Sequence, residues 1–254
     1  MQQVAMSWLV YRLTNSAFLL GLVGFTGQIP TFLLAPFAGV VADRFDRRRL
    51  LICTQALSMA QATILSLVVL TGIVQVWHII ILSLLLGIIN TFDIPGRQSF
   101  FVEMVESRED LGNAIALNSS MFNSARLVGP SIAGLLVAGF GEGTCFVLNA
   151  LSYLAVLMAL IAMRMEPKEP KPVHHPMIHQ LREGMSYAFG FKPIRSILLL
   201  MTLVSLMGMS YGIMMPVFAR EVLHGDADTY GFLMAASGLG ALFSTVYLAS
   251  RTTV

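Results

Sequence analysis

The chain has 254 residues, of which 56% are apolar and only 12% charged, about half of the ~25% charge usual in soluble domains. Its formal charge is +2, and the basic residues sit in short clusters rather than on an aromatic-interleaved face, which excludes a nucleic-acid partner. It carries no glycine-rich phosphate loop ending in Lys-Ser/Thr, no HExxH and no nucleophile set beside a base, so neither an enzyme nor a cofactor is expected.

Met1 to Tyr11 is apolar but short; at ~1.5 Å per residue it reaches about 16 Å, half of a ~30 Å hydrocarbon core. It reads as the second half of a first helix, with no basic start that would mark a signal peptide. Seven full-length spans follow: Leu19–Val41, Leu50–Gly72, Trp77–Phe101, Asn113–Phe140, Thr144–Met163, Ile197–Ala219 and Tyr230–Ser250. Between the first two of them, Asp43 to Arg49 packs six charges into seven positions, flanked by charge-free runs of 30 and 43 residues. A polar hinge at Thr71 to His78 divides the longer run.

The third full span holds Asn90 and Asp93, the latter the only acidic residue well inside a span. The fourth holds Asn118 and Arg126, which stands 16 positions from both Asp110 and Glu142. An Arg at that depth costs ~2.5–3.5 kcal/mol on insertion scales, so it faces a partner or a water-filled cavity. Two uses stay open: lining for a polar or anionic substrate or part of the coupling machinery, and a structural tie to a neighbouring helix, with Asp93 as the expected partner. Three residues on, Gly129-Pro130 and then Ala133-Gly134 predict a kinked helix with a flat packing face. Asn123, Asn149 and Tyr211 are further polar groups inside spans, suited to a cavity wall or to interhelical hydrogen bonds. Cys53 and Cys145 fall inside apolar spans and read as packing residues.

Residues 164–195 form a connector that opens Met165-Glu-Pro-Lys-Glu-Pro-Lys-Pro172, a stiff solvated linker. Met177 to Phe191 then places Ile178, Leu181, Met185, Ala188 and Phe189 on one helical face, as a membrane-surface helix or an ordinary connector helix would. His174, His175 and His179 lack Cys or carboxylate at ligand spacing, so no metal site is expected. The domain plan is therefore residues 1–163 as a six-helix bundle with an incomplete first helix, 164–195 as linker, and 196–254 as the start of a second bundle. Arg12 with Gly21 and Arg220 with Gly231 open corresponding spans in the two parts.

Sidedness follows from Lys and Arg. The loop at Arg44 to Arg49 holds four, the next on that side two, the connector six and the final residues one, against Arg12 and Arg220 on the other side. The charged loops are expected to face the cytoplasm, with the chain in the inner (plasma) membrane.

Gly39, Asp43, Arg44, Arg47 and Arg48 resemble the loop motif G-x-L-x-D-R-x-G-R-R of the major facilitator superfamily, with Val41 for Leu and Asp46 for the second Gly. Ala125 to Gly134 is similar to the fifth-helix motif G-x-x-x-G-P-x-x-G-G of that superfamily's exporters, with Ala125 and Ala133 for two glycines. Phe92-Asp93-Ile94-Pro95-Gly96-Arg97-Gln98 and Ala114 to Ser119 resemble the branch with enterobactin and macrolide efflux permeases. The resemblance implies an all-α polytopic membrane protein of twelve helices in two rocking bundles, of which this chain supplies the second half of helix 1 through helix 8. It implies that Asp43 pairs with Arg97 or with the other bundle as a gate, and that Asp46 alters the turn. It further implies that Gly129, Pro130 and Gly134 line the moving bundle interface, and that Asp93, Arg126, Asn90 and Asn118 serve substrate or coupling. The expected function is gradient-driven export of a small amphipathic molecule, with protons as coupling ion and a monomer when full length. An importer of the same fold and an inactive fragment are the alternatives.

Overall fold

The computed structural model describes residues 1–105, 107, 109–163, 186–208 and 210–250, and every regular element among them is helical. Helix α1 (Gln2–Thr14) stops at Asn15, whose left-handed φ of 47° closes the last turn. Ser16 then accepts from the Leu19 amide and starts α2 (Ala17–Arg44). Helix α3 (Arg47–Leu70) ends before Gly72 (φ 74°), and α4 (Val76–Met104) follows. Thus the polar hinge of the sequence is the α3–α4 turn.

Helix α5 (Leu111–Ala162) is two arms joined at Gly141, where φ 78° and ψ 167° break the helical path. Only glycine adopts that backbone without strain, and the break falls between the two spans expected on either side of Phe140 and Thr144. After the connector come α6 (Lys192–Gly208), α7 (Ser210–Val217) with Pro216 inside it, a π-turn at Phe218–Val222, and α8 (Ala227–Ser250). Residues 186–190, the tail of the expected connector helix, are helical; the rest of that helix, the prolines and the histidines lie outside the described residues.

Among the described residues, four helices have the length and apolarity to cross a membrane, and the fourth, α5, comprises two of the expected spans. Their outer faces carry large apolar side chains, such as Phe18, Phe32 and Phe140, that are largely exposed in the protein alone. Only a lipid solvent makes such a surface stable.

The interior is where polar residues gather. Helix α3 buries Thr54, Gln55, Ser58, Gln61 and Ser66 beside Leu51, Ala62 and Leu65. Asn149 Nδ2 donates to Gln2 Oε1 (2.6 Å), Gln2 Nε2 donates to Gln61 Oε1 (2.8 Å), and Gln61 Nε2 donates to the Leu82 carbonyl (3.2 Å). This relay ties α5, α1, α3 and α4 together through the centre. Among the described residues no buried side-chain nitrogen or oxygen lacks a partner, as the absence of water in hydrocarbon demands.

Helices α2 and α4 cross through glycines. A Cβ built on Gly87 would strike the Gly27 carbonyl oxygen, while Thr31 and Thr91 hydroxyls pair at 3.2 Å and Ser83 Oγ donates to the Val23 carbonyl. Small residues at such crossings set the distance between backbones. Gly87→Val should therefore lower stability by about 1–3 kcal/mol through overpacking against backbone that cannot yield. Gly139→Ala, where a Cβ meets nothing within 4 Å, serves as the neutral control. Thermal unfolding of the two variants in detergent checks this, and equal midpoints would remove the crossing from the account.

Candidate functional site

The basic turn is built by one cap. Helix α2 ends at Arg44, Phe45 is extended (φ −97°, ψ 155°), and Asp46 begins α3 with its carboxylate accepting from the Arg49 amide at 2.7 Å. Asp46 has φ −57°, so this turn needs no left-handed residue and a glycine is not required. Asp46 occupies the N-cap, a favoured place for Asp.

The neighbouring arginines grip their own group of helices. Arg47 Nη1 lies 2.9 Å from Glu103 Oε1 near the end of α4. Arg48 donates from Nε to the Leu160 carbonyl (2.8 Å) and from Nη2 to the Ile161 carbonyl (2.9 Å), satisfying free carbonyls at the end of α5. Gly39 lies on α2 with open space beside it. The side chains of Asp43 and Arg44 lie outside the described residues, so the pairing expected of Asp43 does too.

Asp93 is only 4% exposed and is fully engaged. Its Oδ1 accepts from Thr54 Oγ1 (2.8 Å) and Gln55 Nε2 (2.7 Å), and its Oδ2 meets Arg97 Nη2 at 2.6 Å. Arg97 reaches it because it stands one turn along the same helix. The expected pairing of Asp93 with Arg126 is thereby overturned. Arg126 is exposed, and its guanidinium lies 6.0 Å from the Phe122 ring centroid, one turn away on α5. Asn118 is exposed and Asn90 half-buried, on α5 and α4 respectively.

The Gly-Pro segment meets α8. A Cβ on Gly134 would lie 2.7 Å from Gly231 Cα and 2.9 Å from the Ala227 carbonyl, and one on Gly231 would lie 3.2 Å from the Pro130 carbonyl. Gly129 and Pro130 are half-buried beside this contact. The two spans that open Arg12/Gly21 and Arg220/Gly231 both place their glycine against the other group of helices, since Gly21 faces Met214 Cε at 3.8 Å. Further contacts join the groups near the same end. The Trp8 and Tyr230 rings stack at 6.3 Å, Tyr11 Oη donates to Glu221 Oε1 at 2.8 Å, and Gly24 faces Ile213. Beside them Arg12 Nε meets Glu142 Oε1 at 2.8 Å, clasping two turns of the first group. All of these lie at the end opposite the basic turn.

Several participants escaped the reading of single residues: Gln2, Thr54, Gln55 and Gln61 carry no charge and belong to no motif. Their signal is the spacing Thr54, Gln55, Ser58, Gln61, a polar stripe at helical period inside an apolar span, which in lipid marks the buried face.

The cap gives a measurable consequence. Asp46→Ala should cost about 1 kcal/mol of local stability at the start of α3, read as a roughly fivefold faster amide exchange at Arg49, while Asp46→Asn should leave it near wild type. Equal exchange in all three would show that Asp46 does not cap.

Residues 1–253 match the family of transmembrane secretion effectors. The chain is 28% identical over 248 residues to a staphyloferrin A transporter of Staphylococcus aureus, covering 97% of this chain and 62% of that protein. It is 23% identical to macrolide efflux protein A of Streptococcus pyogenes (88% of this chain, 55% of that protein). It is also 23% identical to the multidrug efflux pump Tap of Mycolicibacterium fortuitum (99% and 64%). The chain therefore spans somewhat more than half the length of these relatives. With its helical, lipid-facing architecture, its Gly-Pro contact and this match along nearly its whole length, the chain belongs to the transmembrane secretion effector family of major facilitator transporters.

Proposed function

We propose that the protein exports a small amphipathic molecule across the inner membrane by alternating access, with a proton gradient as driving force. The observation that carries this reading is the contact of Gly134 with Gly231 and Ala227 beside Pro130. Two backbones meeting without side chains between them form a smooth, weakly directional joint, and rocking about such a joint exposes a midplane site to each side in turn. The helices within the first group are instead cross-linked by the glutamine relay and by Asp93, which suits a unit that moves as a body.

In this reading the basic turn faces the cytoplasm, as the excess of Lys and Arg on that side favours. Asp43 and Arg44 are the members of the turn that engage the opposing bundle as a gate, while Arg47, Arg48 and Asp46 brace the turn on its own side. Asp93 is the candidate proton acceptor. Neutralising a buried carboxylate removes the charge that holds Arg97 and thereby frees that guanidinium at the gate. The efflux relatives support the outward direction, and the transported molecule is a drug-like or siderophore-like solute, as their names suggest.

Asp43→Asn in the full-length protein should abolish export from loaded cells, at least tenfold below wild type, while membrane insertion stays intact by fractionation. Unchanged export would remove the gate. Counterflow in inverted vesicles gives the direction: accumulation driven by an imposed proton gradient is expected, and uptake only in right-side-out vesicles would make the protein an importer.

A further inference from the structure

We infer that Arg126 is the anion-binding subsite of the transported molecule, so that the cargo carries a carboxylate next to an apolar or aromatic portion. The inference rests on the transporter reading above and narrows it to a substrate class.

The first arm of α5 presents two different faces. At about 100° per residue, Arg126 stands within about 20° of Ala133 and Val137 around the helix. Both of these are buried in the core that α1 and α8 share, with Val10, Tyr11 and Tyr230. Val128 and Leu135, on the opposite side, are exposed and apolar, as a lipid-facing stripe must be. Arg126 thus continues the inward stripe and not the lipid one. Burial along that stripe falls from Val137 and Ala133, through half-buried Pro130, to exposed Arg126. The guanidinium stands where the cover thins, on the approach from the basic end.

Nothing in the described structure neutralises it. The carboxylate described in mid-span is Asp93, which already holds three donors. The described carboxylates Glu142 and Glu221 are engaged with Arg12 and Tyr11 at the opposite end. Among the described residues Arg126 has only the Phe122 face. A permanent cation at this depth is retained at a cost, and a guanidinium offers a planar fork matched to a carboxylate. The exposed Phe122 ring beside it suits an apolar ligand body.

The last three helices add hydroxyls in register. Tyr211 Oη and Ser237 Oγ pair at 2.9 Å. Ser237 stands two turns along α8 from Tyr230, and Tyr211 stands one turn from Met214, so each lies in line with a residue that touches the first group. A ligand held at Arg126 would have these neutral hydrogen-bonding groups to meet on that side, since the carboxylates described there, Glu221, Asp226 and Asp228, stand at the opposite end.

The test is binding of three matched fluorescent probes to the purified full-length protein in detergent: dansylglycine (carboxylate), dansylamide (neutral) and dansylcadaverine (cationic). Dansylglycine should bind at least tenfold tighter than dansylcadaverine. Arg126→Gln should lose that preference while keeping dansylamide affinity, and Arg126→Lys should keep part of it. Equal or tighter binding of the cation by wild type, or an unchanged preference in Arg126→Gln, overturns the inference. Should the glutamine variant not fold, the lysine variant decides: a preference reduced threefold or more supports the subsite, and an undiminished one overturns it. Because binding is read without a gradient, a failure of export leaves this result standing, and loss of the preference leaves alternating access standing.

Discussion

A polar group inside hydrocarbon must find its partner inside the protein, and that requirement organises this molecule. Helix α3 turns Thr54, Gln55, Ser58, Gln61 and Ser66 inward beside Leu51 and Leu65, and Leu57, Leu67 and Leu70 outward, so its polar groups lie on the buried face, the reverse of a helix in water. Asp93 can remain on α4 because Thr54, Gln55 and Arg97 surround it. The relay through Asn149, Gln2, Gln61 and the Leu82 carbonyl fixes the short α1 among three other helices. Individually such bonds contribute only ~0.6 kcal/mol in membranes. Their larger effect is on specificity, since any slip of register leaves a donor unpaired in a medium with no water to replace it.

Contacts within the first five helices and contacts between them and the last three are made differently. Inside, directional hydrogen bonds fix neighbouring helices, and even the glycine crossing of α2 and α4 is flanked by the Thr31–Thr91 and Ser83–Val23 bonds. Between the groups, the described contacts are glycines, one stacked aromatic pair, the Tyr11–Glu221 and Ser7–Tyr230 hydrogen bonds and a shared apolar core, all toward the end opposite the basic turn. A directional contact resists sliding, whereas a glycine contact with no such bond beside it does so far less. The division of labour between stiff units and a yielding seam is thus written in the type of interaction, and the proposed rocking draws on it.

The basic turn illustrates how a motif's residues separate once they are placed. Arg48 ends a helix at the far side of its own group, Arg47 reaches Glu103, and Asp46 caps α3. Linear proximity to Asp43 suggests one shared gating task for the cluster; the geometry gives three of its members bracing tasks. Asp93 and Arg126 look like an ion pair when only depth is known, because depth is all that position along a helix supplies. Rotation about the helix axis decides partners, and it directs Asp93 toward α3 and Arg126 along the stripe of Ala133 and Val137.

Charge-free intervals, the cluster from Asp43 to Arg49 and the Gly-Pro segment were enough to give an all-helical membrane protein, the five spans that α2 to α5 comprise and its family, because hydrocarbon excludes charge over a fixed thickness. Even the break at Gly141 was legible as the gap between two spans. What could not be read was which helices touch and through which faces: the buried face of α3, the Gly134–Gly231 seam, the partners of Asp93 and the isolation of Arg126 among the described residues. Those depend on the rotation and crossing of helices, quantities set by packing among residues far apart in the chain, and only the tertiary structure supplies them.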